Sequence, residues 1–126
     1  MDVKGIVMKN LKWDIESLLS VGENIVFKCK LEDEEDDSII EVYLTNYRII
    51  WINSEFVDCR LLKFISKYGV FVGYEDYNER NDIGTGEYGV YFGDTNFYET
   101  FWFYSAEVWK EFYDELSRCV LEETYN

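Results

Sequence analysis

Histidine, proline and glutamine do not occur in the 126 residues, and cations are scarce, 12 lysines and arginines standing against 26 acidic residues. Each shortage argues against something. Without histidine the chain lacks the usual general base and the commonest metal ligand, and Ser-His-Asp or Cys-His nucleophile chemistry is impossible. A net charge of −14, spread as −5 over residues 1–63 and −9 over 64–126, argues against holding phosphate backbones or anionic lipid, which draw Lys and Arg. No apolar run approaches the ~20 residues of a membrane-spanning helix. The opening Met1-Asp2-Val3-Lys4 lacks the basic and apolar regions of a secretory signal. Cys29, Cys59 and Cys119 form no C-x-x-C pair, which leaves neither a zinc knuckle nor a thioredoxin-type redox pair. We read them as reduced core cysteines of a cytoplasmic protein.

What is present is apolar and aromatic. Hydrophobic residues make up 48% of the chain and aromatics 19%, so burial can offset the entropy of ordering. The length suits one domain, read as 11–126 behind a loosely ordered leader over 1–10. Leu11, Ile15, Leu18 and Leu19 recur at helical spacing beside Trp13, predicting a short N-terminal helix with Asp14 as a cap and Gly22 beyond its end. Alternating apolar and polar residues then predict strands over 25–31, 39–44, 47–52, 56–62, 70–74, 88–92 and 97–104. The polar stretch 75–86 reads as a long hairpin loop, and Gly93-Asp94-Thr95-Asn96 as a tight hairpin turn. Over 105–123 the pattern changes: Ser105 is an N-cap, and Val108, Trp109, Phe112, Leu116, Cys119 and Val120 fall on one helical stripe. The expected fold is mainly β, of α+β type: seven antiparallel strands in a bent sheet or barrel, one end capped by the C-terminal helix.

Gly22-Glu23-Asn24-Ile25-Val26 leading the first strand, the hairpin Val42-Tyr43-Leu44-Thr45-Asn46-Tyr47-Arg48-Ile49-Ile50-Trp51, and the final helix with Trp109 and Phe112 together resemble the small prokaryotic pleckstrin-homology-like (PH-like) and GRAM-related domains. The hairpin is similar to that group's leucine-threonine-x-x-arginine-hydrophobic-hydrophobic pattern. The similarity spans roughly residues 11–123. It implies a scaffold for binding lipids, peptides or proteins. In the lipid-binding members Lys and Arg of the first hairpin loop hold the phosphoinositide, whereas that loop here is Glu32-Asp33-Glu34-Glu35-Asp36-Asp37. Six carboxylates in a row repel a phosphorylated headgroup, so neither phosphoinositide nor an anionic membrane is an expected partner.

Three patterns bear on chemistry. Gly84-Thr85-Gly86-Glu87-Tyr88-Gly89 spells G-x-G-x-x-G, but it follows a polar loop and opens a strand, whereas a dinucleotide site needs it between a strand and a helix. The glycines are read as easing turns. Asp76, Asn78 and Glu87 match positions 1, 3 and 12 of a calcium loop, yet Arg80 and Asn81 stand where an oxygen ligand and a glycine belong. No cofactor, metal site or catalytic residue is expected. The third pattern is the aromatic run Phe97, Tyr98, Phe101, Trp102, Phe103, Tyr104, in which both strand faces carry rings. If Phe97, Phe101 and Phe103 face inward, Tyr98, Trp102 and Tyr104 face outward, or the reverse, and the outer rings serve either as an interface or lie beneath the N-terminal helix with Trp13. These readings give a non-enzymatic interaction module or self-assembling subunit, its partner contacted through Tyr98, Trp102 and Tyr104 with Glu34, Glu35, Asp36 and Asp37 around them. The partner is a protein or a second copy, with no direct nucleic-acid contact. The alternative is an acidic inhibitor, such as an immunity protein or DNA mimic, covering the basic surface of a nucleic-acid enzyme.

Overall fold

A computed structural model describes residues 13–33, 38–73 and 81–125. A single helical turn, α1 (Ile15–Leu18), precedes four strands: β1 (Ile25–Asp33), β2 (Ser38–Thr45), β3 (Arg48–Ile52) and β4 (Val57–Leu61). A 3₁₀ turn over Leu62–Phe64 leads to β5 (Lys67–Val72), β6 (Asn81–Ile83), β7 (Tyr88–Gly93) and β8 (Tyr98–Phe103), and the chain closes with α2 (Ala106–Tyr125). The leader 1–10, Leu11 and the loop residues Glu34 to Asp37 lie outside the described residues.

The first four strands form an antiparallel meander in chain order, and the rest form a second sheet ordered β5-β7-β8-β6. Polar side chains close the turns as their type dictates. Asn53 Oδ1 accepts from the amides of Glu55 and Phe56, and Asp94 Oδ1 accepts from those of Asn96 and Phe97. Among the described residues there are thus eight strands in two four-stranded sheets and no closed barrel, where seven strands in one bent sheet or barrel were expected. The added strand, β6, lies inside the stretch read as a loop. Its residues Asn81-Asp82-Ile83 pair in parallel with Glu99, Thr100 and Phe101, and so short a segment displays no alternation to read. Where the first sheet approaches the second, Thr85 N donates to Glu32 O at 2.9 Å without starting a ladder.

The core lies between the two sheets and α2. Val42, Leu44, Ile49 and Trp51 enter it from the first sheet, Val90, Phe92, Phe101 and Phe103 from the second, and Phe112, Leu116, Cys119 and Val120 from the helix. These are the inward faces that period-2 and period-3.6 patterning predict. Ser105 caps α2, its hydroxyl accepting from Val108 N, and Trp109 Nε1 pins the helix to β7 by donating to Gly89 O at 2.9 Å. The N-terminal helix is shorter than expected. Asp14 does cap it, but Leu19 is already extended, three residues before Gly22. Among the described residues, no helix is long and apolar enough to cross a membrane.

Candidate functional site

The predicted aromatic strip sits on the outer face of β8, because Phe101 and Phe103 take the inner one. It is not an open strip. Trp102 is only 6% exposed and Tyr98 is half-buried, leaving Tyr104 at 48%. The N-terminal helix does not cover this face: Trp13 is itself 54% exposed, and the end of α1 is held at β3, where Arg48 Nη2 donates to Leu18 O at 2.6 Å. The rings are buried because they lie flat over glycines. A Cβ on Gly69 would stand 2.6 Å from Tyr91, and one on Gly89 would stand 2.8 Å from Phe71 and 3.0 Å from Trp102. Phe71 stacks on Tyr91 at 5.5 Å between centroids and meets Trp102 at the same separation. Trp102 Nε1 donates to Asp82 Oδ1 at 3.0 Å, tying β6 to β8. Trp102 therefore holds the sheet together and is no clean probe of an interface. Glycines opposite aromatics on paired strands were the available signal. Gly89→Ala is expected to cost about 1–3 kcal/mol by overpacking, read from guanidinium denaturation, with a changed near-ultraviolet spectrum as Phe71 and Trp102 tilt.

The same close approaches account for the glycine pattern. Gly84 has φ +83°, and a Cβ there would stand 2.8 Å from Trp102 O, while one on Gly86 would collide with the Phe103 carbonyl. Each glycine of the G-x-G-x-x-G sequence is thus fixed by packing. Of the calcium-type residues, Asp76 and Asn78 lie outside the described residues and Glu87 is exposed. The predicted partner-binding carboxylates Glu34, Glu35, Asp36 and Asp37 also lie outside them. Of the cysteines, Cys119 is buried and Cys29 half-buried, its thiol pushed up to about 12 by burial. Cys59, expected in the core, is exposed on β4, which among the described residues is an edge strand with a neighbour on one side only.

Two buried carboxylates organise the molecule. Glu23, 6% exposed, accepts from Arg48 Nε at 2.9 Å, Arg48 Nη2 at 3.1 Å, Thr45 Oγ1 at 2.7 Å and Ser20 N at 2.9 Å. Burial works against its ionisation, but the bonds from Arg48, Ser20 and Thr45 prevail and hold the carboxyl below its ordinary range. Thr45 Oγ1 also accepts from the amides of Tyr47 and Arg48, so the whole Thr45-x-x-Arg48 turn closes around this carboxylate. The second is Glu99 on β8. It pairs with Arg60 Nη2 on β4 at 3.0 Å and so bridges the two sheets. Arg60 also approaches Asp94 at 3.8 Å and lies 5.7 Å from the centroid of the Phe97 ring. Neither pair stands out in a sequence with 26 acidic residues.

Beyond Arg60 the corner between β4 and β5 opens into a groove of about 680 Å³, lined by Cys59, Arg60, Lys63, Phe64, Ser66 and Asp94. Phe64 is 58% exposed with Lys63 Nζ 5.3 Å from its ring, and Phe97 is exposed beside Arg60. Residues 59–74 contain Arg60, Lys63 and Lys67 and no acid, in a chain of net charge −14. What fold and site define is a small, mainly β domain of two sheets and a terminal helix, fastened by two buried Arg–Glu pairs and open at one sheet corner. Compared with known proteins, the chain matches no family model, no curated protein and no solved structure.

Proposed function

We propose that this chain is a PH-like protein-interaction module that performs no catalysis of its own. The observation that carries this reading is the β4–β5 corner, where the Phe64 and Phe97 rings reach solvent beside Lys63 and the held guanidinium of Arg60. Aromatic rings with charged neighbours around them are the usual anchors of protein interfaces. The PH-like part is supported by the order of elements, a four-stranded meander, then a second sheet, then a packed C-terminal helix. It is also supported by the network of Glu23, Thr45 and Arg48, which joins two of the three segments that carry the resemblance. The contact surface is thereby moved from Trp102 and Tyr98 to Phe64 and Phe97.

The second reading, an acidic inhibitor of a nucleic-acid enzyme, draws on the outer face of α2, where Glu107, Glu111, Asp114, Glu122 and Glu123 are exposed. Affinity capture from extract of the source cells separates the two. With the double variant Phe64→Ala, Phe97→Ala as control, a partner lost by the variant at unchanged Tm is the expected result. A partner held equally by both proteins overturns the corner as the contact surface. A nucleic-acid enzyme captured in that way and released by salt would establish the inhibitor reading.

A further inference from the structure

We infer that Asp58 guards the β4 edge, holding the Cys59 amide so that β4 cannot pair with β4 of a second copy. Among the described residues, β4 is the last strand of its sheet and pairs only with β3. The bonds that flank this pairing, Asn53 N to Phe56 O and Leu62 N to Tyr47 O, set its phase. In an antiparallel ladder, pairs that exchange hydrogen bonds alternate with pairs that do not. The residues opposite each other run from Ile52–Val57 to Arg48–Leu61, so Asp58 and Arg60 bond to β3. The backbones of Val57, Cys59 and Leu61 consequently point away from the sheet.

Those three residues make a self-complementary edge. Two antiparallel copies related by a dyad at Cys59 would set Val57 opposite Leu61, Cys59 opposite Cys59, and Leu61 opposite Val57. All of these would be hydrogen-bonded pairs, and such edges add strands readily. The Asp58 carboxylate removes the middle one. Its Oδ1 accepts from Cys59 N at 2.8 Å, although that amide faces outward, where a second strand would bind. The same register brings Asp58 opposite Arg60 of the second copy, but Arg60 is already held by Glu99 at 3.0 Å, so this pair adds little attraction. The guard is independent of the proposed function, since it concerns the backbone of β4 and not the rings beside it.

Sedimentation equilibrium across a concentration series tests it, using the wild-type chain, Asp58→Ala and Asp58→Asn. Asparagine keeps an Oδ1 acceptor and loses only the charge. The expected result is a dimer constant at least about tenfold tighter for Asp58→Ala, a shift of about 1.4 kcal/mol, with Asp58→Asn close to wild type. Equal association of Asp58→Ala and wild type overturns the guard, as does Asp58→Asn associating like Asp58→Ala. Amide exchange on the wild-type monomer tests the same bond without any variant. The Cys59 amide should exchange several-fold more slowly than those of Val57 and Leu61 after correction for sequence, and equal rates overturn it.

Discussion

Replacing Arg48 by alanine is expected to destabilise the fold by about 3–5 kcal/mol at neutral pH, the usual result of removing one partner from a buried ion pair. The Glu23 side chain is fully buried, and Arg48 supplies two of its hydrogen bonds. Without the guanidinium, the carboxylate keeps its desolvation and loses the contacts that offset it. The same substitution frees the end of α1, whose Leu18 carbonyl accepts from Arg48 Nη2. The pH dependence follows from the sign of the shift. In the folded protein Glu23 titrates below its unfolded value of about 4.3. Its contribution is therefore complete above that value and is lost as pH falls through the folded pKa. In the variant, burial is opposed only by the bonds from Ser20 and Thr45, so the carboxylate loses most of what holds its pKa down. The gap between wild type and Arg48→Ala should therefore be widest near pH 7 and narrow below about pH 4. Urea denaturation across that range measures it. A gap that stays constant from pH 7 to pH 3 would mean that Arg48 acts through packing, not through the Glu23 charge.

The elements and their facing are legible in the sequence wherever a regular period operates. Val42 and Leu44, Ile49 and Trp51, and the stripe from Phe112 to Val120 all point where alternation and the 3.6 repeat place them. Thr45 and Asn46 are legible as turn residues for the same local reason. What is hidden depends on partners far apart in the chain. Glu23 and Arg48 are 25 residues apart, and Arg60 and Glu99 are 39 apart, so no window shows either pair. Trp102 is misread because alternation tells which face a side chain takes and not whether it stands up or lies flat. The flat arrangement needs Gly89 beneath the ring, a fact that appears only once β7 and β8 are in register. The corner groove is missed because Phe64 sits in a 3₁₀ turn, where neither period applies.

Phe101→Ala should be the most damaging core substitution after loss of the Glu23 pair, at about 3–5 kcal/mol. Phe101 is fully buried on β8 and touches all three layers of the core. Its ring centroid is 5.3 Å from Trp51 of the first sheet, 4.9 Å from Phe92 of its own sheet and 5.6 Å from Phe112 of α2. The contacts to Trp51 and Phe92 are edge-to-face, at 81° and 74°, an arrangement that adds to simple burial. Truncation leaves a cavity where rings meet from several directions, and rigid aromatics cannot collapse into it as an aliphatic cluster can. The loss should appear in denaturation midpoint and Tm together, with Trp51 fluorescence shifted to the red by the altered packing. Phe64→Ala, exposed at the corner, should leave both near wild type. That contrast separates the rings that hold the sheets together, Phe101 and Trp102, from the rings that reach solvent, Phe64 and Phe97.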